Sequence, residues 1–166
     1  SELFSYPDSS QFRLLSDQRI IADKALSRGL GCEVGDEWVQ ISGIRTLGND
    51  GLPICWADVY VIPEYGSIAQ RLGGSTRPVY EMIAEAFKES IDKITVRVTA
   101  GTLSEQKARV LGVEAGSPSL SVWRFYQGMG GRVFEVSISE HPASNFSYTF
   151  EFTRGWQTAD HWSWSS

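Results

Sequence analysis

The sequence predicts an α+β domain, a mostly antiparallel β-sheet with helices packed on it, and two observations predict this. Leu30-Gly31-Cys32-Glu33-Val34-Gly35 recurs 81 residues later as Leu111-Gly112-Val113-Glu114-Ala115-Gly116, and self-similarity at a fixed spacing marks a repeated supersecondary unit. Each copy is followed by an alternating apolar run, a turn signal and a second alternating run, the pattern of a β-hairpin, whose strands pair antiparallel. Each half therefore reads as strand, helix, hairpin. Two such units in one domain imply a pseudo-twofold arrangement, with a bridging helix between them and a pocket where they meet.

Residues 1–11 are polar, carry Pro7 and read as a linker or mobile arm. Phe12 to Leu15 reads as a short strand, and Ser16 or Asp17 then opens a helix through Leu26 and Arg28 that Gly29 ends. Trp38 to Ile44 alternates as a half-buried strand, Gly48-Asn49-Asp50-Gly51 is a tight-turn signal, and Pro53 to Ile62 is the return strand. Tyr65 to Leu72 reads as a short helix. After Pro78, whose missing N–H suits a first turn, Val79, Met82, Ile83, Ala86 and Phe87 recur at helical spacing to about Lys88. The pattern then repeats: a strand from Ile94 to Ala100, a helix opened by Ser104 and ended by Gly112, a strand from Ser119 to Tyr126, a Gly128–Gly131 turn, and a return strand from Val133 to Ser139. Phe146 to Phe152 alternates as one more strand. Residues 12–153 thus form one domain, and the Trp-rich tail 154–166 reads as disordered or as an arm that docks on a partner.

Composition narrows the function classes. The chain has 166 residues, of which 42% are hydrophobic and 21% charged, ordinary values for a globular domain. A net charge of −5 is the wrong sign for a generic nucleic-acid surface. No apolar run approaches the roughly 18 residues of a membrane span, and the first residues lack the regions of a signal peptide. Cys32 and Cys55 make neither a disulfide framework nor a zinc set and read as buried thiols in a reducing cytoplasm.

Catalytic patterns are missing. There is no phosphate loop, no Gly-x-Ser-x-Gly elbow and no His-Glu-x-x-His helix, so neither a cofactor nor a metal ion is expected. A general base would depend on His141, since the other histidine, His161, lies in the tail. Binding chemistry is better represented. Arg45 and Arg124 stand near matching places in the two hairpins and can grip an anion through paired N–H groups; the alternative for each is a surface position or a structural ion pair. Glu135 interrupts the apolar run Phe134-Val136 and can accept hydrogen bonds from a ligand, or be a solvated strand position. Trp56, Asp58 and Tyr60 share one face of their strand, as pocket lining or as core. Tyr80 opens the bridging helix, where a hydroxyl and free N–H groups can meet an anion, or simply pack.

These segments resemble the UTRA domain, the effector-binding domain of HutC-type regulators in the GntR family. The resemblance rests on Gly35-Asp36-Glu37-Trp38 through Ile44-Arg45, on Gly51-Leu52-Pro53 through Tyr60-Val61-Ile62-Pro63, on Arg77-Pro78-Val79-Tyr80, and on Gly116-Ser117-Pro118 and Val133-Phe134-Glu135-Val136-Ser137. It runs from Phe12 to Phe152 and lies in the order and spacing of these stretches. It implies a chorismate lyase-like fold, a homodimer, a pocket for a small metabolite and a DNA-binding winged helix-turn-helix domain outside this sequence. Ligand contacts carried over from the family fall on Arg45, Tyr80, Glu135 and His141. A second arginine that many members carry two positions before the first is here Gly43. The sequence reading is thus a cytoplasmic, dimerising sensor of an anionic or zwitterionic metabolite, bound through Arg45, Trp56, Asp58, Tyr80, Arg124, Glu135 and His141. Its rivals are a chorismate lyase-like enzyme acting on a small aromatic acid and a pure dimerisation module.

Overall fold

Two strand-helix-hairpin units meet edge to edge at the centre of one sheet. The computed structural model describes residues 10–48 and 51–155. Its strands are β1 (Ser10–Ile21), β2 (Glu37–Leu47), β3 (Leu52–Val61), β4 (Lys93–Thr102), β5 (Pro118–Gln127) and β6 (Val133–Pro142). They lie in the order β1-β2-β3-β6-β5-β4, with every neighbouring pair antiparallel. Helix α1 (Lys24–Leu30) joins β1 to β2, and α3 (Glu105–Leu111) joins β4 to β5. The units β1-α1-β2-β3 and β4-α3-β5-β6 are therefore related by a pseudo-twofold axis between β3 and β6, as the sequence repeat predicts.

The repeated hexapeptide makes the same bend in each unit. Gly31 and Gly112 end the two helices at φ 70° and 71°, a left-handed conformation that side chains with a Cβ resist. Upstream, Asp23 caps α1 by accepting a 2.8 Å hydrogen bond from the Leu26 N–H, and Ser104 caps α3 through the Lys107 N–H at 3.3 Å. Asp23→Ala is expected to cost about 1 kcal/mol of stability, read as a lower urea midpoint at unchanged slope.

Directly paired residues share a face of the sheet, so the register assigns the faces. Arg45 pairs with Cys55, Gly43 with Ala57, Ala57 with Ser139, Val59 with Ser137, Ser137 with Arg124, and Glu135 with Tyr126. This face is covered by a 3-10 helix (Pro63–Arg71) and by α2 (Val79–Phe87), whose Ile68 and Ile83 are fully buried. Each such burial contributes about 1.5–3 kcal/mol. On the opposite face Ile44 and Trp56 cluster with Leu103, Ala108 and Leu111 under α3, and Gly29 of α1 packs on the Trp123 ring.

Three elements differ from expectation. β1 runs on to Ile21, so Ser16 and Asp17 sit in mid-strand and α1 starts at Lys24, ending at Gly31 and not at Gly29. The strand continues because a bulge between Leu14 and Ser16 keeps it in register with β2; as an edge strand with exposed polar side chains it carries no apolar alternation there. The helix expected over Tyr65 to Leu72 is a 3-10 helix, Pro63–Arg71. Phe146 to Phe152 forms no strand, because β6, which leads into it, is already paired on both sides by β3 and β5. Strand β1 also begins two residues inside the stretch read as an arm. Asn49, Asp50 and the tail residues 156–166, with His161, lie outside the described residues. Among the described residues no helix is long and apolar enough to cross a membrane.

Candidate functional site

Alternation along β2, β5 and β6 brings charged side chains beneath the start of α2. There they border a narrow, partly open cavity. Its floor carries Arg45, Arg124, Tyr126, Glu135, Ser137 and Ser139, and Pro78, Val79 and Tyr80 form the opposite wall. Phe12, Ala57 and Val59 close one side.

Arg45 is 4% exposed and lies over the Phe12 ring, 5.5 Å from its centroid. Its Nη1 and Nη2 donate to the Ser75 and Arg77 carbonyls at 3.5 Å each, the weak end of the hydrogen-bond range. Those carbonyls belong to the loop that leads into α2, and the same loop grips β1: Phe12 N–H donates to Ser75 O at 3.0 Å, and Gly74 N–H to Phe12 O at 2.9 Å. Arg124 is buried in β5. Glu135 is buried in β6, and its Oε1 has no hydrogen-bond partner among the described residues. Burial disfavours its charged form and pushes its pKa up to about 8, a rise that the Arg124 guanidinium moderates.

Tyr80 stacks on Tyr126, ring centroids 4.9 Å apart. Burial raises the pKa of both phenols, so both stay neutral and remain hydrogen-bonding groups at physiological pH. No side chain caps α2, which starts just after Pro78, so its first N–H groups and the positive end of its dipole face this region.

The remaining sequence-predicted residues lie elsewhere. His141 shares the sheet face of Arg45 and Glu135, since it pairs with Leu120 beyond Ser139, but it does not line the cavity. Its ring stacks on Phe146 at 3.7 Å, and burial, then the charge of Arg124, lowers its pKa to about 4. Trp56 and Asp58 do share a face, but it is the opposite one. There Asp58 accepts from Ser42 Oγ at 2.6 Å and from Trp56 Nε1 at 3.2 Å, while Gln40 donates to the Tyr60 hydroxyl at 3.1 Å. The row is a polar layer under the helices of that face. The structure thus brings Arg45, Tyr80, Arg124 and Glu135 together and leaves Trp56, Asp58 and His141 out.

Sequence reasoning missed Phe12, Tyr126, Ser137 and Ser139. A signal existed for the last three: Tyr126 follows Arg124 at strand period, and Ser137 and Ser139 follow Glu135 in the same way. Phe12 had no such signal, because its place depends on how β1 docks on β2.

Known proteins share this fold. Residues 7–147 match the UTRA domain family. The ligand-binding domain of a protein from Bordetella bronchiseptica, assigned to the GntR-family transcriptional regulators, superposes with a TM-score of 0.71 at 22% identity, covering 87% of this chain and 89% of that one. A GntR-family transcriptional regulator from Bacillus cereus gives 0.71 at 17% identity, over 87% and 99%. The effector domain of PhnF from Mycobacterium smegmatis gives 0.70 at 16% identity, over 87% and 88%. No curated protein matches the sequence.

Proposed function

The chain belongs to the UTRA domain family, and from that premise we propose that it is the effector-sensing and dimerising domain of a HutC-type GntR regulator, binding a small anionic metabolite without turning it over. The regulator would act in the cytoplasm as a homodimer, and DNA would be held by a winged helix-turn-helix domain outside this sequence. The acidic charge of the chain supports that division of labour. One observation carries the binding role: two arginines and a glutamate are buried around one cavity. A ligand anion between Arg45 and the start of α2 would meet a guanidinium fork and the positive end of a helix dipole together.

The same contacts support a route for the signal. Arg45 donates to the loop carbonyls that precede α2, and that loop is hydrogen-bonded to Phe12 of β1. An anion that draws the guanidinium away from those carbonyls favours a state in which the loop, α2 and the start of β1 are differently placed. Differential affinity for two such states is all that population shift requires, and couplings of about 1–3 kcal/mol are typical.

A thermal-shift screen against metabolites tests this. A ligand at 100 times its Kd adds about 2.7 kcal/mol of stability. Arg45→Met is expected to weaken binding by one to two orders of magnitude, the worth of roughly 1.5–3 kcal/mol for a charged hydrogen bond, with unchanged circular dichroism. A variant that keeps the full shift removes Arg45 from the site. Light scattering of the purified chain checks the dimer.

A further inference from the structure

The two halves of the chain contribute unlike walls to one cavity. The first half supplies Phe12, Ala57 and Val59, with Arg45 as its charged group; the second supplies Arg124, Tyr126, Glu135, Ser137 and Ser139. The repeat makes this asymmetry explicit, because Gly43 stands where the second half has Arg124, and Cys55 where it has Glu135. No side chain can project from position 43: a Cβ there would lie 2.4 Å from Phe12 Cζ. The Phe12 ring fills that space, and Val79 of α2 continues the apolar wall.

On the polar side, Arg124 and Glu135 are diagonal neighbours on adjacent strands, since Arg124 pairs with Ser137 and Tyr126 with Glu135. Glu135 Oε1 is a buried acceptor without a partner among the described residues, and such atoms are ordinarily satisfied. Of the phenols beside it, the Tyr80 hydroxyl is turned to Glu81 Oε1 at 3.4 Å. A guanidinium next to an open acceptor matches a ligand with an anionic group and a donor on adjoining atoms. The aromatic and aliphatic wall facing them offers nothing to hydroxyl groups at the ligand's far end.

Resting on the reading of this cavity as an effector site, we propose that the effector is an apolar α-amino or α-hydroxy acid. Its carboxylate lies on Arg45 and Arg124, its α-substituent donates to Glu135, and its side chain lies against Phe12, which sets specificity.

Calorimetric titration of this chain tests the assignment with L-phenylalanine, L-leucine and L-phenyllactate. The controls each lack one feature: 3-phenylpropionate the donor, 2-phenylethylamine the carboxylate, glycine the side chain. Glucose 6-phosphate serves as a polar anion. At least one of the three complete ligands is expected to bind tenfold more tightly than every control, with the amino and hydroxy acids deciding which donor is taken. Phe12→Leu, which keeps the wall apolar if Phe12→Ala fails to fold, is expected to change the ratio of phenylalanine to leucine affinity at least fivefold. An unchanged ratio removes Phe12 as the specificity residue. Tighter binding of glucose 6-phosphate, or of any metabolite outside this class when all three acids fail, overturns the class and leaves the effector site standing. If no compound of a broad metabolite collection binds, the effector reading itself falls.

Discussion

Gly43→Ala is expected to destabilise the domain by about 2–4 kcal/mol, near the upper end of overpacking effects. The added Cβ would sit 2.4 Å from Phe12 Cζ and 2.6 Å from the Arg13 carbonyl oxygen. A side chain alone can swing away, but the carbonyl belongs to the backbone of β1, held to β2 through paired positions on either side of the Leu14/Ser16 bulge. Relief therefore requires part of β1 to peel from the sheet, taking the buried Phe12 with it. The measurement is the urea midpoint of the variant against wild type. Gly101→Ala on β4 is the control, because its Cβ would meet only Ser119 Oγ at 3.6 Å, and a change within about 0.5 kcal/mol is expected there. If Gly43→Ala falls in that same small range, β1 is not clamped at this point and Phe12 is not a fixed wall. Pairing the variant with Phe12→Ala in a double-mutant cycle separates the ring clash from the carbonyl clash.

The second large effect is a dependence of stability on pH set by two buried groups of opposite behaviour. Glu135 has its pKa pushed from 4.5 up to about 8 in the fold, so between those values the folded chain holds a proton that the unfolded chain has lost. Stability then falls as pH rises through that window, with a ceiling of roughly 5 kcal/mol at 1.36 kcal/mol per pH unit. His141 is lowered from 6.5 to about 4, so between those values the unfolded chain binds the extra proton. Its contribution is complete above pH 6.5 and is lost as pH falls toward 4, with a ceiling of roughly 3 kcal/mol.

The two slopes cancel between about pH 4.5 and 6.5, and only that of Glu135 remains from 6.5 to 8, where wild-type stability is expected to drop by up to about 2 kcal/mol. The other groups that face Glu135 hold their charge through this range: Arg124 and Tyr126 from β5, Arg45 from β2 and Tyr80 from α2. Glu135→Gln is therefore expected to flatten the profile above pH 6.5 and to be more stable than wild type at pH 8. Parallel profiles for the two proteins over that range would mean that Glu135 is ionised in the fold.

Much of the fold was legible because it rests on local signals. Gly112 had to be a helix end, and the alternating runs after the two repeated stretches had to be hairpins; four strands, β2, β3, β5 and β6, follow. Local pattern and strand pairing diverge in two places. The stretch from Phe146 to Phe152 has the alternation of a strand, yet β6 has no open side to offer it. The outer part of β1 has no alternation and is a strand all the same, because β2 supplies the hydrogen bonds.

The same division runs through the site. Arg45, Tyr80, Arg124 and Glu135 stood out as charged or phenolic groups in apolar strands or at a helix start, and they converge on one cavity. Trp56 and Asp58 looked equally good and lie on the far face, because a register shift between Arg45 and Thr46 pairs Arg45 with Cys55. One residue along a strand reverses the side chain.

The sequence by itself determined the repeated unit, its hairpins and the charged residues that interrupt its apolar runs, since each is a property of neighbouring residues in the chain. Only the tertiary structure decided which of those residues share a cavity and that Phe12 closes it. Strand period orders side chains along one strand, whereas the register between strands is set by turns and bulges, and the packing of β1 on Gly43 by contacts between segments far apart in the chain.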